Sequence, residues 1–399
     1  MLSAEYPPRW GGMGSTVFHL SSALASRGHN VTIITRNGGG KNIPSIPGVE
    51  VISVGWLRIP MEFTRSYGRT ALRALKKLNK SNPVDVVHLH CPMISWTEKQ
   101  FRYCKMNIGP IVSSLHGSWL GEKDGLLTAK EQKETAVWAN PNDLAILLTS
   151  KRYAKFENQA LSGSDVCVAN SEATKRDFIS RYSPPTDWDC EVIHWGVDTE
   201  MFTPAETRDK DLRRRFGCSE EDILLLAVGR LAARKGYGSL LRAFALVNSE
   251  FSNSKLVIVG RGHLRKRLLN QAHSLGISSS VYIESSMSFE ELAKLFSNAD
   301  LTVYPSYYEG QGLIPLESMS SGTPVVTVNH GPLPEMVDSA VGSLFQMGNI
   351  NSMSSTIIKE ISNMDVLKDK GIAGRKRVLQ KFTYEIDAES FIEIYDRIQ

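Results

Sequence analysis

The chain lacks any long apolar run. Its longest, such as Ile223-Leu-Leu-Leu-Ala-Val228, are of strand length, far short of the ~18 residues that span a membrane. The start, Met-Leu-Ser-Ala-Glu-Tyr-Pro-Pro, has neither a basic leader nor an apolar core, which argues against a signal peptide. Cysteine is sparse: Cys91, Cys104, Cys167, Cys190 and Cys218 are scattered, odd in number and form no C-x-x-C. That pattern excludes a disulfide scaffold and a structural zinc knuckle, and predicts a reduced, cytoplasmic protein. Charge bias is also missing. The 46 basic residues nearly balance the 42 acidic ones, net +4, which gives no case for a dedicated nucleic-acid binder. No short-period repeat or low-complexity tract interrupts the chain.

What is present is a regular alternation of strand and helix patterns, the mark of a parallel α/β sheet. Strands are predicted at 30–35, 49–54, 85–90, 110–115, 165–170 and 191–194, and again at 223–228, 255–259, 281–283, 300–304 and 324–328. Helices are predicted over 14–28, 65–80 and 151–163. At 399 residues the chain is long enough for two or three domains. The repeated pattern predicts two Rossmann-like halves facing across a cleft: 1–195, a linker at 196–204, 205–383, and a closing amphipathic helix at 384–399. Met1-Leu-Ser3 reads as the tail of a buried first strand, so that strand is expected to be short or to begin upstream.

The most specific stretch runs from Tyr304 to Val326. Glu309 and Glu317 stand eight positions apart around a Gly310-Gln311-Gly312 loop, after one strand pattern and before another. Ligands bind at the carboxyl ends of strands in such sheets. Glycines at 310 and 312 let the backbone approach a ligand, and the N–H groups of Gly312, Leu313 and Ile314 open a helix that attracts phosphate. Carboxylates do not favour phosphate, so the glutamates are expected to hold hydroxyls. A ligand with phosphate in its middle and hydroxyl-rich groups at both ends fits: a nucleotide sugar. A second motif, Gly229-Arg230-Leu-Ala-Ala-Arg234-Lys235-Gly236, follows the strand 223–228. Arg230 and Lys235 would neutralise a departing diphosphate.

A third Gly-rich turn, Trp10-Gly11-Gly12-Met-Gly14, opens the first long helix, with Glu5 and Arg9 beside it. No G-x-G-x-x-G is present, and the strand at 30–35 ends in Arg36 rather than an acid, which counts against a dinucleotide dehydrogenase. His116 ends another strand. His88 and His90 alternate on one face of theirs; with no third ligand evident they are read as structural, His90 near the cleft. Asp187-Trp-Asp189 and Asp209-Lys-Asp211 are read as solvated loops, so no metal is expected. Trp119 to Asn142 is polar and irregular, a candidate acceptor loop. Arg65, Arg69, Arg73, Lys76, Lys77 and Lys80 share one face of a predicted helix and would suit an anionic lipid surface, at about 1 kcal/mol per residue.

Together these motifs resemble the E-x7-E signature and Gly-Arg…Lys-Gly loop of retaining glycosyltransferases with the GT-B fold, family 4 (group 1). The resemblance extends over nearly the whole chain. It implies an enzyme that moves a hexosyl group from a nucleoside diphosphate sugar to a glycan or lipid-linked acceptor hydroxyl, by same-face attack, with the departing phosphate helping to take the acceptor proton. It implies that Glu309 contacts the donor sugar, Glu317 the ribose and His116 the sugar. Gly12, Gly229, Gly310, Gln311, Gly312 and Leu313 would line the donor site, and no cofactor would be needed beyond the donor itself. Family members that act on lipids often attach to the inner face of a membrane. Three departures stand out: Gln311 replaces the usual Phe, Gly260-Arg-Gly-His263 the usual Gly-Asp-Gly-Pro, and Glu284-Ser-Ser a Gly-bearing loop. The rival readings are a nucleotide-sugar epimerase or hydrolase of the same fold, and a non-catalytic nucleotide-sugar-binding subunit; the presence of Arg230, Lys235, Glu309 and Glu317 disfavours the last.

Overall fold

Ile223–Val228 forms a strand in which all six side chains are buried, because helices cover both faces of the parallel sheet it centres. The computed structural model describes residues 1–8, 11–38, 43–134, 140–285 and 287–399. It divides into two units. The first holds Met1–Lys123, Leu144–Gly196 and Tyr384–Gln399, and the second Asp124–Asp143 and Val197–Thr383.

The first unit contains β1 (Leu2–Ser3), β2 (Val31–Arg36), β3 (Val49–Val54), β4 (Val87–Cys91), β5 (Ile111–Leu115), β6 (Val166–Ala169) and β7 (Cys190–Val192). Among the described residues they form one parallel sheet of order β3-β2-β1-β4-β5-β6-β7. The order reverses between β1 and β4, so the loops leaving those two strands stand at the switch point where ligands bind. The second unit contains β8 (Ile223–Val228), β9 (Ser254–Val259), β10 (Val281–Glu284), β11 (Leu301–Tyr304), β12 (Val325–Val328) and β13 (Gly342–Phe345). Its parallel order is β10-β9-β8-β11-β12-β13, with the reversal between β8 and β11. Each sheet has its own apolar core.

The helix expected at 14–28 spans Gly12–Ser26, that at 65–80 spans Glu62–Ser81, and that at 151–163 begins earlier, at Pro141–Gly163. Two expectations change. Trp119–Glu131, read as irregular, is a helix. Ser118 sits before it, its Oγ accepting the Gly121 N–H at 2.9 Å, and no proline interrupts it. Residues 124–143, expected in the first domain, group with the second unit. Glu134 anchors them there by accepting the N–H groups of Gly238 and Ser239 at 3.0 and 2.7 Å, at the start of the helix Tyr237–Glu250.

The closing helix Tyr384–Ile398 belongs to the first unit, where Phe391 stacks on Trp195 and Tyr395 reaches His88. The chain leaves the first unit after Gly196 and returns at Tyr384. Val197 pairs in parallel with Thr383, its N–H donating to the Phe382 carbonyl at 3.0 Å. The Asp387 carboxylate accepts the Gly196 N–H at 2.7 Å.

Candidate active site

In the second unit the two motifs follow β8 and β11, the neighbours at the reversal of the sheet. After β8 the chain turns through Gly229 and an exposed Arg230 into a single turn of tighter helix, Ala233–Lys235. Gly236 ends that turn at φ 72°, and a Cβ there would lie 2.3 Å from the Pro305 carbonyl oxygen. Only glycine allows the Lys235 turn to seat against the chain leaving β11. The Tyr307 N–H completes the junction by donating to the Arg234 carbonyl at 2.8 Å.

This packing brings Lys235 and Glu309 into direct contact. The Lys235 ammonium donates to Glu309 Oε1 and, at 3.0 Å, to the Tyr304 hydroxyl. Arg234, itself buried, donates to the Tyr308 carbonyl at 3.2 Å. Burial raises the Glu309 carboxyl, but Lys235 and Arg234 more than offset that and hold it at about 2, so Glu309 is ionised. Burial brings Lys235 down to about 8, against the pull of Glu309. Sequence reasoning set Lys235 at the diphosphate and Glu309 at the sugar; the structure joins them in one ion pair.

The loop beyond Glu309 reaches Gly312 at φ 97°, which precedes the helix Leu313–Ser320. Pro315 falls in its first turn, as expected. Gln311 is buried. Glu317, half-buried on that helix, is raised to about 7 by burial. Two residues that sequence reasoning did not single out support the site. The Tyr304 hydroxyl braces Lys235. Glu134 receives the Tyr307 hydroxyl at 3.3 Å, and that hydroxyl also meets Ser239 Oγ at 2.8 Å. Glu134 lies outside any recognisable motif, so no sequence signal marked it.

In the first unit, Gly12 begins its helix, and a Cβ at the preceding Gly11 would lie 2.7 Å from Glu5 Oε2. Arg9 and Trp10 lie outside the described residues. His116 follows β5, its N–H donating to the Cys91 carbonyl at 3.1 Å. Its Nε2 lies 2.9 Å from Nδ1 of His90, and its ring stacks on Trp195. A third histidine therefore does stand near His88 and His90. Both nitrogens of His88 are engaged, with Tyr395 and Ser114 at 2.7 and 2.6 Å. No group of three metal-ligating side chains occurs among the described residues. Burial drives the pKa of His116 down to about 3. In the same unit, Glu157 accepts the Trp119 N–H at 3.1 Å and the Tyr182 hydroxyl at 2.6 Å, and burial raises it to about 8.

The remaining candidates have other partners. Asp209 caps the helix Lys210–Arg215 through the Leu212 N–H, Asp211 pairs with Arg214 and Asp189 with Arg397. That makes Asp209-Lys-Asp211 a helix start, not a loop. Of the basic face, Arg65 and the exposed Arg69 both pair with Glu62, at 3.2 and 3.5 Å, and Lys76 sits 3.3 Å over the Tyr103 ring, while Arg73, Lys77 and Lys80 are also exposed. A cavity of about 350 Å³ opens at the opposite ends of β1, β2 and β4, lined by Met1, Val31, Val87 and Tyr395. It lies away from the switch point and includes none of the expected site residues.

The family model "Glycosyl transferases group 1" matches residues 208–377, and "Glycosyltransferase Family 4" matches residues 10–201. An uncharacterized glycosyltransferase of Methanocaldococcus jannaschii is 27% identical over 99% of this chain and 97% of its own length. Sucrose-phosphate synthase from Thermosynechococcus elongatus has a similar structure, with a TM-score of 0.82, 21% identity and coverage of 99% of this chain and 97% of that one. HepE of Anabaena, solved in complex with UDP and glucose, matches with a TM-score of 0.74, 18% identity and coverage of 99% and 98%. The fold shared with these structures is GT-B, as expected.

Proposed function

The chain belongs to the group 1, family 4 glycosyltransferases, and from that premise we propose that it is a retaining enzyme that moves a hexosyl group from a nucleoside diphosphate sugar to an acceptor hydroxyl. The acceptor proposed is a glycan or a lipid-linked sugar. The observation that carries the reading is the Lys235–Glu309 pair beside the helix start at Gly312, both on the switch-point edge of the second sheet. An ionised Glu309 accepts hydrogen bonds from sugar hydroxyls. The Lys235 ammonium has three N–H groups, of which Glu309 and Tyr304 take two, so one remains for a phosphate oxygen. Arg230 and the helix N-terminus supply further positive potential as the glycosidic bond breaks, in place of a metal ion. The departing phosphate takes the acceptor proton on the face it leaves; no side chain is assigned as a nucleophile. The bound UDP and glucose of the Anabaena neighbour support a nucleotide-sugar donor.

The test is transfer from UDP-, GDP- and ADP-sugars by wild type and by Glu309→Gln. The variant is expected to lose about 100-fold or more of the rate while remaining folded. A folded Glu309→Ala enzyme with full transfer activity would refute the assignment.

A lipid-linked acceptor has a supporting surface. Exposed Arg69, Arg73, Lys77 and Lys80 share a helix that is preceded by exposed Leu57, Arg58 and Ile59, a pairing of basic and apolar groups suited to an anionic bilayer. No helix among the described residues is long and apolar enough to cross a membrane, so the attachment proposed is peripheral, on the cytoplasmic leaflet. Flotation with vesicles containing anionic lipid at low salt is expected to carry the protein upward, and Arg69→Glu with Lys77→Glu to abolish this. No flotation of wild type would remove the membrane reading and leave the transferase reading intact.

A further inference from the structure

His90 and His116 share one proton along a 2.9 Å contact between His90 Nδ1 and His116 Nε2. Which ring owns it is decided by the other side of His90. That residue is fully buried, and its Nε2 has no hydrogen-bond partner among the described residues. If His116 held the proton on Nε2, a neutral His90 would carry its own proton on Nε2, as a sealed N–H with no acceptor. If His90 holds it on Nδ1, the sealed nitrogen is a bare lone pair. Orphaned buried N–H groups are rarer than under-satisfied acceptors and cost the full desolvation of the donor. A doubly protonated His90 would bury an unpaired charge, which is costlier still.

We propose that His90 is a positioning residue that donates its Nδ1 proton to His116 Nε2 and thereby fixes His116 as a neutral ring with its own proton on Nδ1. Two further contacts hold the arrangement. His88 stacks on His90 with ring centroids 4.3 Å apart, and Trp195 stacks on His116 at 5.0 Å. Neither His90 nor its orphan nitrogen needs to reach solvent. The consequence for chemistry is directional. His116 Nδ1–H is a hydrogen-bond donor after the end of β5, able to bind a hydroxyl oxygen of the donor sugar. Its single lone pair is already taken by His90, so His116 does not accept the acceptor's proton during transfer. The sugar contact rests on the transferase reading above; the proton assignment does not.

The test begins with the free, full-length protein labelled with ¹⁵N-histidine. Long-range ¹H–¹⁵N correlation, assigned with His116→Gln, is expected to show a protonated Nδ1 and a bare Nε2 for His116. A protonated Nε2, or a cationic ring at neutral pH, overturns the proposal. His90→Phe removes the donor and is expected to lose the Nδ1–H form, whereas His90→Asn, whose amide N–H stands where Nδ1–H stood, retains it. The same variants are titrated with UDP and UDP-glucose. His90→Phe is expected to weaken UDP-glucose by about tenfold while leaving UDP unchanged, and His90→Asn to restore the difference. Equal UDP-glucose affinity in wild type and His90→Phe overturns the positioning role. Failure of wild type to bind either probe counts against the donor reading alone, because the proton assignment is read without ligand.

Discussion

Glu309 and Glu317 sit on one loop-helix segment, yet their surroundings push their protons in opposite directions. Glu309 is held at about 2 despite burial, so the stability it contributes is present above its unfolded value of 4.5 and is lost as pH falls toward 2. Glu317 is raised to about 7 by burial without a compensating cation. The folded state therefore favours its neutral form below 4.5 and loses that advantage as pH rises through 7. Glu317→Gln is expected to raise the melting temperature at pH 8, by an equivalent of about 2 kcal/mol, and to change it little at pH 4.5, while weakening donor binding at both. Melting curves at the two pH values decide this; equal shifts would show that the burial of Glu317 is not what matters. Residue chemistry was legible in sequence to this depth: the acids, the cations and the glycines between them. Their pairing was not. Lys235 and Glu309 are 74 positions apart, and their contact depends on β8 and β11 being neighbours in the sheet, which spacing along the chain does not encode.

The turn at Ala233–Lys235 works as an element because Gly236 combines φ 72° with a close approach to Pro305. Gly236→Ala meets both obstacles at once. It is expected to cost more than the about 1–2 kcal/mol of a left-handed non-glycine residue, and to separate Lys235 from Glu309. Chemical denaturation together with a donor titration checks this: a variant of unchanged stability and affinity would contradict the packing argument. Glu134→Ala is expected to be milder, about 1–3 kcal/mol, because it leaves the Gly238 and Ser239 N–H groups buried without their acceptor. Strands were the most legible elements, since continuous runs such as Ile223–Val228 have few alternatives. The helix Trp119–Glu131 was not, because Gly121 and Gly125 interrupt its apolar spacing and its charges are mixed with apolar residues on every face. Gly125 has a packing reason for being there, as a Cβ would lie 2.5 Å from that of Tyr308, next to Glu309.

For the molecule as a whole, the sequence pattern conveyed two sheets because the strand-helix alternation restarts after the linker. It did not convey that 124–143 groups with the second unit, since that depends on one buried carboxylate meeting a helix start. The motifs to which we assign the diphosphate and the ribose, Gly229–Gly236 and Glu309–Glu317, both belong to the second unit. Nucleotide alone, without sugar, is thus expected to stabilise the protein, by about 2.7 kcal/mol at 100 times its dissociation constant, and Arg230→Ala to reduce that shift. Thermal denaturation with UDP, GDP and ADP measures it; a wild-type protein insensitive to all three would contradict the donor assignment. The pairing of the chain where it enters and leaves 197–383 carries one more consequence. Val197 and Thr383, the first and last residues of a 197–383 stretch, are bridge partners. That stretch is a closed loop in the topological sense: its ends already meet, so joining them would need almost no added chain. New termini could then be opened at an exposed turn outside 230–317, and the Arg230, Lys235, Glu309 and Glu317 set would stay in one uninterrupted frame.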